Sequence, residues 1–140
     1  LYSWYELLNL LPVDSPYDHA YVEHPTAGSA DDITLHPKPA SGKPAKYVQV
    51  KFHRDHRNVY SFDSLIEAAA GSRSLLHKLY DSWKKLKAQG PVEVWLVSNW
   101  AAAGDLGGFI GGRQGTLSSD LLSSGKRSRK RAPIDAFTSV

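Results

Sequence analysis

At 140 residues, 41% hydrophobic and 22% charged, the chain suits a single globular domain over residues 1–140, long enough to bury a core. No apolar run approaches the roughly 20 residues of a bilayer span and no signal peptide is visible. The absence of cysteine removes disulfides, thiolate-held metals and thiol catalysis, and fits a cytoplasmic protein. The net charge of +3 is unevenly spread: residues 1–35 hold six acids and no Lys or Arg, leaving 17 bases and eight acids for the rest. An acidic patch beside a basic surface suits a metal centre set into a polyanion-binding face.

Residues 2–11 read as a Leu-rich helix stopped by Pro12, apolar over most of its circumference and therefore expected to be buried. Turn residues follow to His19, then a short strand over Ala20–His24 that carries Glu23. Two segments of period two come next. In Asp32–His36, Ile33 and Leu35 point one way while Asp32, Thr34 and His36 point the other. In Lys46–His53, Val48, Val50 and Phe52 oppose Tyr47, Gln49 and Lys51. Paired as a hairpin across the Pro- and Lys-rich loop between them, these strands put Asp32, Gln49 and Lys51 on one face.

Ser61 is expected to cap a helix through Ala70, with Ser64 and Glu67 forming a capping box one turn later. A second helix over 72–89 carries Leu75, Leu76, Leu79, Tyr80, Trp83 and Leu86 as its apolar stripe and ends at Gly90-Pro91. Val92–Ser98 reads as a core strand. The Gly- and Ala-rich stretch Ala101–Gly115 reads as loop and lacks a phosphate-binding motif. Leu117–Leu122 is a candidate short helix, and Lys126–Arg131 packs five bases into six residues. Helix, strands, helices and strand in this order indicate an α/β sandwich.

An acid at a strand start, a short loop, then Gln49-Val50-Lys51 inside an apolar strand follows the pattern of the PD-(D/E)xK nuclease superfamily, with Gln in place of the usual acid. The ordered series Glu23, Asp32-Ile33, Gln49-Val50-Lys51, the helix bearing Trp83, Glu93–Asn99 and Gly112-Arg-x-Gly-x-Leu117 resembles one branch of it. That branch is the Gln-x-Lys double-stranded-DNA endonuclease domain of bacterial antiphage effectors. Its members are fused to SAVED sensors in CBASS systems or to STAND NTPase sensors. The resemblance covers most of residues 15–122. It implies a restriction-endonuclease-like α/β/α sandwich with a central mixed sheet, and a bacterial, cytoplasmic effector that oligomerises when activated. With no Met and a start at Leu1, the chain is expected to be a fragment of a larger protein that lacks a C-terminal sensor.

The resemblance further implies Mg²⁺ or Mn²⁺, hard cations that take oxygen ligands. Asp32 would be the principal ligand, with the Gln49 side-chain oxygen and the Val50 carbonyl beside it and Glu23 as a third protein ligand. Asp31 is turned away by period two and caps the turn. Lys51 would orient the attacking water and stabilise the charged phosphate. His53, Arg54 and the basic run Lys126, Arg127, Arg129, Lys130 and Arg131 are candidate contacts to the DNA backbone. Two other readings stay open at this point: a catalytically inactive DNA-binding module, and an oligomerisation module that uses the first helix.

Overall fold

The computed structural model describes residues 2–55, 57–108, 110–111 and 116–117. The chain divides into two units, Leu1–His53 with Leu76–Asn99, and Arg54–Leu75 with Trp100–Val140.

The first unit is built on a four-stranded mixed sheet. Its strands are β1 (Tyr17–Val22), β2 (Ile33–Pro37), β3 (Ala45–Lys51) and, after the helices, β5 (Val92–Ser98), in the order β1-β2-β3-β5. The first three run antiparallel as a meander; β5 returns parallel to β3. That parallel pairing needs a crossover, and the chain supplies it between Phe52 and Pro91.

Register fixes the two faces. Ile33 pairs with Val48 and Leu35 with Lys46, while Val48 lies beside Trp95 on β5. On the opposite face Thr34 pairs with Tyr47, and Tyr47 lies beside Val94. Both faces are buried at the centre of the sheet: Ile33, Leu35 and Val48 on the first, Thr34, Tyr47 and Gln49 on the second. This is the continuous burial that a strand with neighbours on both edges requires.

Helix α1 (Tyr2–Leu7), continued by a 3₁₀ turn over Leu8–Leu10, occupies the expected place but not the expected environment. Trp4 is 71% exposed and Leu11 73%, with Tyr5 and Leu8 also exposed, whereas Glu6 is buried. A charge partner explains the inversion. The Glu6 carboxylate accepts from Lys46 Nζ at 2.8 Å, from the Tyr2 hydroxyl and from Asn9 Nδ2 at 3.3 Å. Lys46 Nζ also lies 4.4 Å from the centroid of the Trp95 ring. A buried cation on the sheet demands an anion, so the helix turns its acid inward and leaves its large apolar side chains outside.

Helix α3 (Leu75–Lys87) is shorter than its apolar pattern suggests, and its buried positions are His77, Leu79, Ser82 and Leu86, with Tyr80 exposed. It is tied to the β1–β2 loop. Ser82 Oγ accepts the Ser29 amide at 2.9 Å and lies 2.8 Å from where a Cβ on Gly28 would stand. Gly28 has φ +70°, so both the backbone and the space select glycine there. The strand β1 starts three residues before the expected Ala20, because Tyr17 and His19 find partners in Pro37 and His36 across an irregular register.

In the second unit, β4 (Val59–Tyr60) pairs parallel to β6 (Ala101–Ala102), and α2 (Phe62–Ile66) stops well before Ala70. Its capping box uses Ser61 and Ser64 rather than Ser64 and Glu67. Ser61 Oγ accepts the Ser64 amide at 3.1 Å, and Ser64 Oγ accepts the Ser61 amide at 2.9 Å. Glu67, already extended, ends the helix. The stretch expected as loop contains β6 and a 3₁₀ turn over Gly104–Gly108, and Ile110–Gly111 pairs with Thr116–Leu117 as two short strands, β7 and β8. Leu117 is therefore in a strand; the rest of the expected helix over 117–122 lies outside the described residues. Among the described residues no helix is long and apolar enough to cross a membrane.

Candidate functional site

One end of the four-stranded sheet collects the residues singled out by sequence. The strands β3 and β5 end here, β2 begins here, and β1 ends here, since each antiparallel neighbour reverses direction. In parallel α/β sheets the carboxyl ends of the strands are where ligands are taken. Asp32 immediately precedes β2; carrying the Ile33–Val48 pairing one residue outward sets it opposite Gln49. Side chains from Asp32, Gln49 and Lys51 then fall on the Thr34–Tyr47 face by strand alternation.

Atomic contacts bear out this adjacency. Asp32 Oδ2 accepts the Val50 amide at 2.6 Å and the Gln49 side-chain Nε2. That same Nε2 reaches Val50 O at 3.4 Å. Gln49 is buried, and Asp32 and Val50 are half-buried. Asp32 Oδ1 takes no hydrogen bond among the described residues. The Lys51 side chain is exposed and enters no hydrogen bond or ion pair among them. A negative charge at half-buried depth is thus balanced by two N–H donors, with an ammonium two residues along the same face.

The donor set fits a hard divalent cation. The Asp32 carboxylate and the Val50 carbonyl each lie within hydrogen-bond reach of the Gln49 side-chain amide, and all three groups can present oxygen. A cation there would take Oε1 of Gln49, which a half-turn of the terminal torsion exchanges with Nε2. Glu23 is the backbone neighbour of Asp32, its amide donating to Asp32 O at 3.3 Å, and it sits at φ +57° in the bend after β1. His24 likewise donates to Asp31 O at 2.8 Å. No three His, Asp or Glu side chains form a metal-holding group among the described residues, so Glu23 and Asp31 do not gather with Asp32 into an acidic cluster.

Of the candidate DNA contacts, His53 is held by its backbone. Its amide donates to Asn99 Oδ1 at 2.8 Å and its carbonyl accepts Asn99 Nδ2 at 2.8 Å, which ties the end of β3 to the end of β5. Arg54 is exposed and belongs to the second unit. Lys126, Arg127, Arg129, Lys130 and Arg131 lie outside the described residues.

The same face of the sheet holds a group that no single segment announces. His19 stacks on His36 at 4.7 Å between centroids. Tyr21 meets both edge-on at 5.5 Å, and His24 approaches His36 at 5.6 Å and Tyr47 at 6.0 Å. On this face His36 Nε2 and Thr34 Oγ1 are buried without a hydrogen-bond partner among the described residues. Burial pushes the His36 pKa down, and the neighbouring His19 and His24 push it further the same way; burial raises that of Tyr47. The signal in the sequence is His19-x-Tyr21 facing Thr34-x-His36, which means nothing until the register pairs them. Comparison of this chain with protein-family models, with curated proteins and with solved structures found no match.

Proposed function

We propose that this chain is a metal-dependent endonuclease domain of the restriction-endonuclease-like α/β/α type. It would hydrolyse phosphodiester bonds of double-stranded DNA as the effector of a bacterial antiphage system, in a larger protein whose sensor drives oligomerisation. The observation that carries the reading is the convergence of Asp32, Gln49 and Val50 at the strand ends, with an exposed Lys51, unpaired among the described residues, on the same face.

Asp32, the Gln49 amide oxygen and the Val50 carbonyl would hold Mg²⁺ or Mn²⁺. When bound, such a cation supplies Lewis-acid stabilisation of phosphate charge and an acidified water. Lys51 offers three donors on a flexible stem; it neutralises charge growing on the phosphate oxygens and orients the attacking water. Its exposure leaves it accessible to a polyanion from outside.

Plasmid DNA incubated with the protein and Mg²⁺ tests the reading against Lys51→Ala and against EDTA. Cleavage by the parent, lost in both controls, is the expected result. Equal cleavage by parent and variant would sink the site. One observation favours a second reading, a DNA-binding module without chemistry: among the described residues Asp32 is the only carboxylate in this hydrogen-bonded set, and the Gln49 amide nitrogen already occupies it. That reading predicts salt-sensitive DNA binding with no cleavage at any Mg²⁺ concentration.

A further inference from the structure

Immediately after Lys51 stands Phe52, 80% exposed, the most exposed aromatic ring among the described residues. A large apolar side chain in water is unremarkable on a frayed terminus, but here the backbone is held. Two hydrogen bonds, both 2.8 Å, clamp the next residue, His53, to the Asn99 side chain at the end of β5. Phe52 is therefore presented from a tethered strand end, next to Lys51 in sequence and, by the alternation of β3, on the other side of that strand end from the ammonium. Its ring makes no aromatic contact with the described residues. In sequence it follows the exposed cation Lys51. Exposed aromatic rings beside cations are how proteins hold unpaired bases: the cation takes the phosphate and the ring takes the base face. The same arrangement, driven into a duplex, is an apolar wedge that unstacks one step.

We infer that Phe52 stacks on a nucleobase next to the phosphate engaged by Lys51, so that the site takes nucleic acid whose base at that position is unstacked. The inference rests on the nuclease reading for the place of the phosphate, and it adds the base contact. A single strand offers that base directly; a duplex offers it by kinking at one step.

The full chain is titrated in EDTA with a single-stranded oligonucleotide and with a duplex, each carrying 2-aminopurine, for the parent, Phe52→Ala, Phe52→Trp and Lys51→Ala. Phe52→Ala is expected to weaken binding about five- to hundredfold without changing the salt dependence, because no phosphate contact is lost. Phe52→Trp retains affinity, since a larger ring stacks as well. Lys51→Ala, by contrast, is expected to lower the salt slope by about one. Exposure of Phe52 means that truncation removes little packing, and circular dichroism of each variant confirms this. A change of 2-aminopurine fluorescence on the single strand alone identifies an unpaired base as the ligand; a change on the duplex identifies a wedge. Phe52→Ala binding as tightly as the parent overturns the inference, as does Phe52→Trp failing alongside Phe52→Ala, or a parent that binds neither probe. Phe52-dependent binding with no Mg²⁺-dependent cleavage would instead overturn the nuclease reading and leave the base contact standing.

Discussion

The Glu6–Lys46 pair makes a prediction that the fold cannot easily evade. The Glu6 side chain is 3% exposed and that of Lys46 14%, and they meet at 2.8 Å across 40 positions of sequence, joining α1 to β3. Glu6→Ala strands the Lys46 ammonium over Trp95 and deprives the Tyr2 hydroxyl of its acceptor, while Asn9 Nδ2 keeps the Glu6 backbone carbonyl at 3.1 Å. Removing one partner of a buried pair costs about 3–5 kcal/mol. The Trp95 face still attracts the cation, worth about 1 kcal/mol, and α1 is short enough to admit water. The lower end, about 3 kcal/mol, is therefore expected. Lys46→Met keeps the stem volume but leaves the more deeply buried carboxylate unpaired, and is expected to cost about 4 kcal/mol.

The double variant Glu6→Leu/Lys46→Met removes both charges and restores apolar contact. Only the Tyr2 hydroxyl loses its acceptor, at about 1 kcal/mol, since Asn9 Nδ2 keeps the Glu6 carbonyl. It should unfold at higher urea than either single variant. A cycle of urea-unfolding curves at pH 7 measures the coupling, expected to exceed about 2 kcal/mol. Single variants that each cost under about 0.5 kcal/mol, or costs that simply add, would refute the argument that this pair turns α1 inside out.

Two further outcomes follow from the Thr34–Tyr47 face of the sheet. Because the folded state holds His36 below the ordinary histidine pKa of about 6.5, the unfolded chain binds more protons below that pH. Stability should thus be full above about pH 6.5 and decline as pH falls through the depressed value; His36→Phe should flatten the thermal-unfolding midpoint between pH 7 and 5, and an unchanged slope would reject the shift. Gln49→Glu adds a second carboxylate against Asp32, so the metal-free protein should melt lower than the parent while Mg²⁺ raises its melting temperature by more, as read by calorimetry with and without the ion; a variant indifferent to Mg²⁺ would count against cation binding at this place.

What could be read in advance follows a physical division. Strand β5 runs over Val92–Ser98 as its composition implies, and the parities of β2 and β3 are those of the alternating residues, because a half-polar strand has only one way to face a core. That Asp32 and Gln49 share a face follows from that parity; that they are neighbours follows from the register, which pairs Ile33 with Val48. The burial of α1 could not be read, since its apolar circumference says nothing of a lysine 40 residues away that needs Glu6. The ring cluster of His19, Tyr21, His24, His36 and Tyr47 was equally hidden, because it depends on which residue of β1 meets which of β2. Nor does parity say which atoms meet: the Val50 amide, rather than its carbonyl, bonds the Asp32 carboxylate.

That last detail bears on why glutamine stands at position 49. Two carboxylates side by side at half-buried depth repel each other unless a cation lies between them, so a site of that kind is strained when empty. With glutamine, the lone Asp32 charge is met by Gln49 Nε2 and the Val50 amide, and the strand ends are satisfied without any ion. On the nuclease reading, a cation would have to compete with those donors and turn the amide to its oxygen side, at a cost in affinity. Glutamine at this position would then weaken metal binding while it stabilises the metal-free fold. On the nuclease reading, activity would then depend on local concentration of metal and DNA at the strand ends, as expected of an effector held silent until it is assembled.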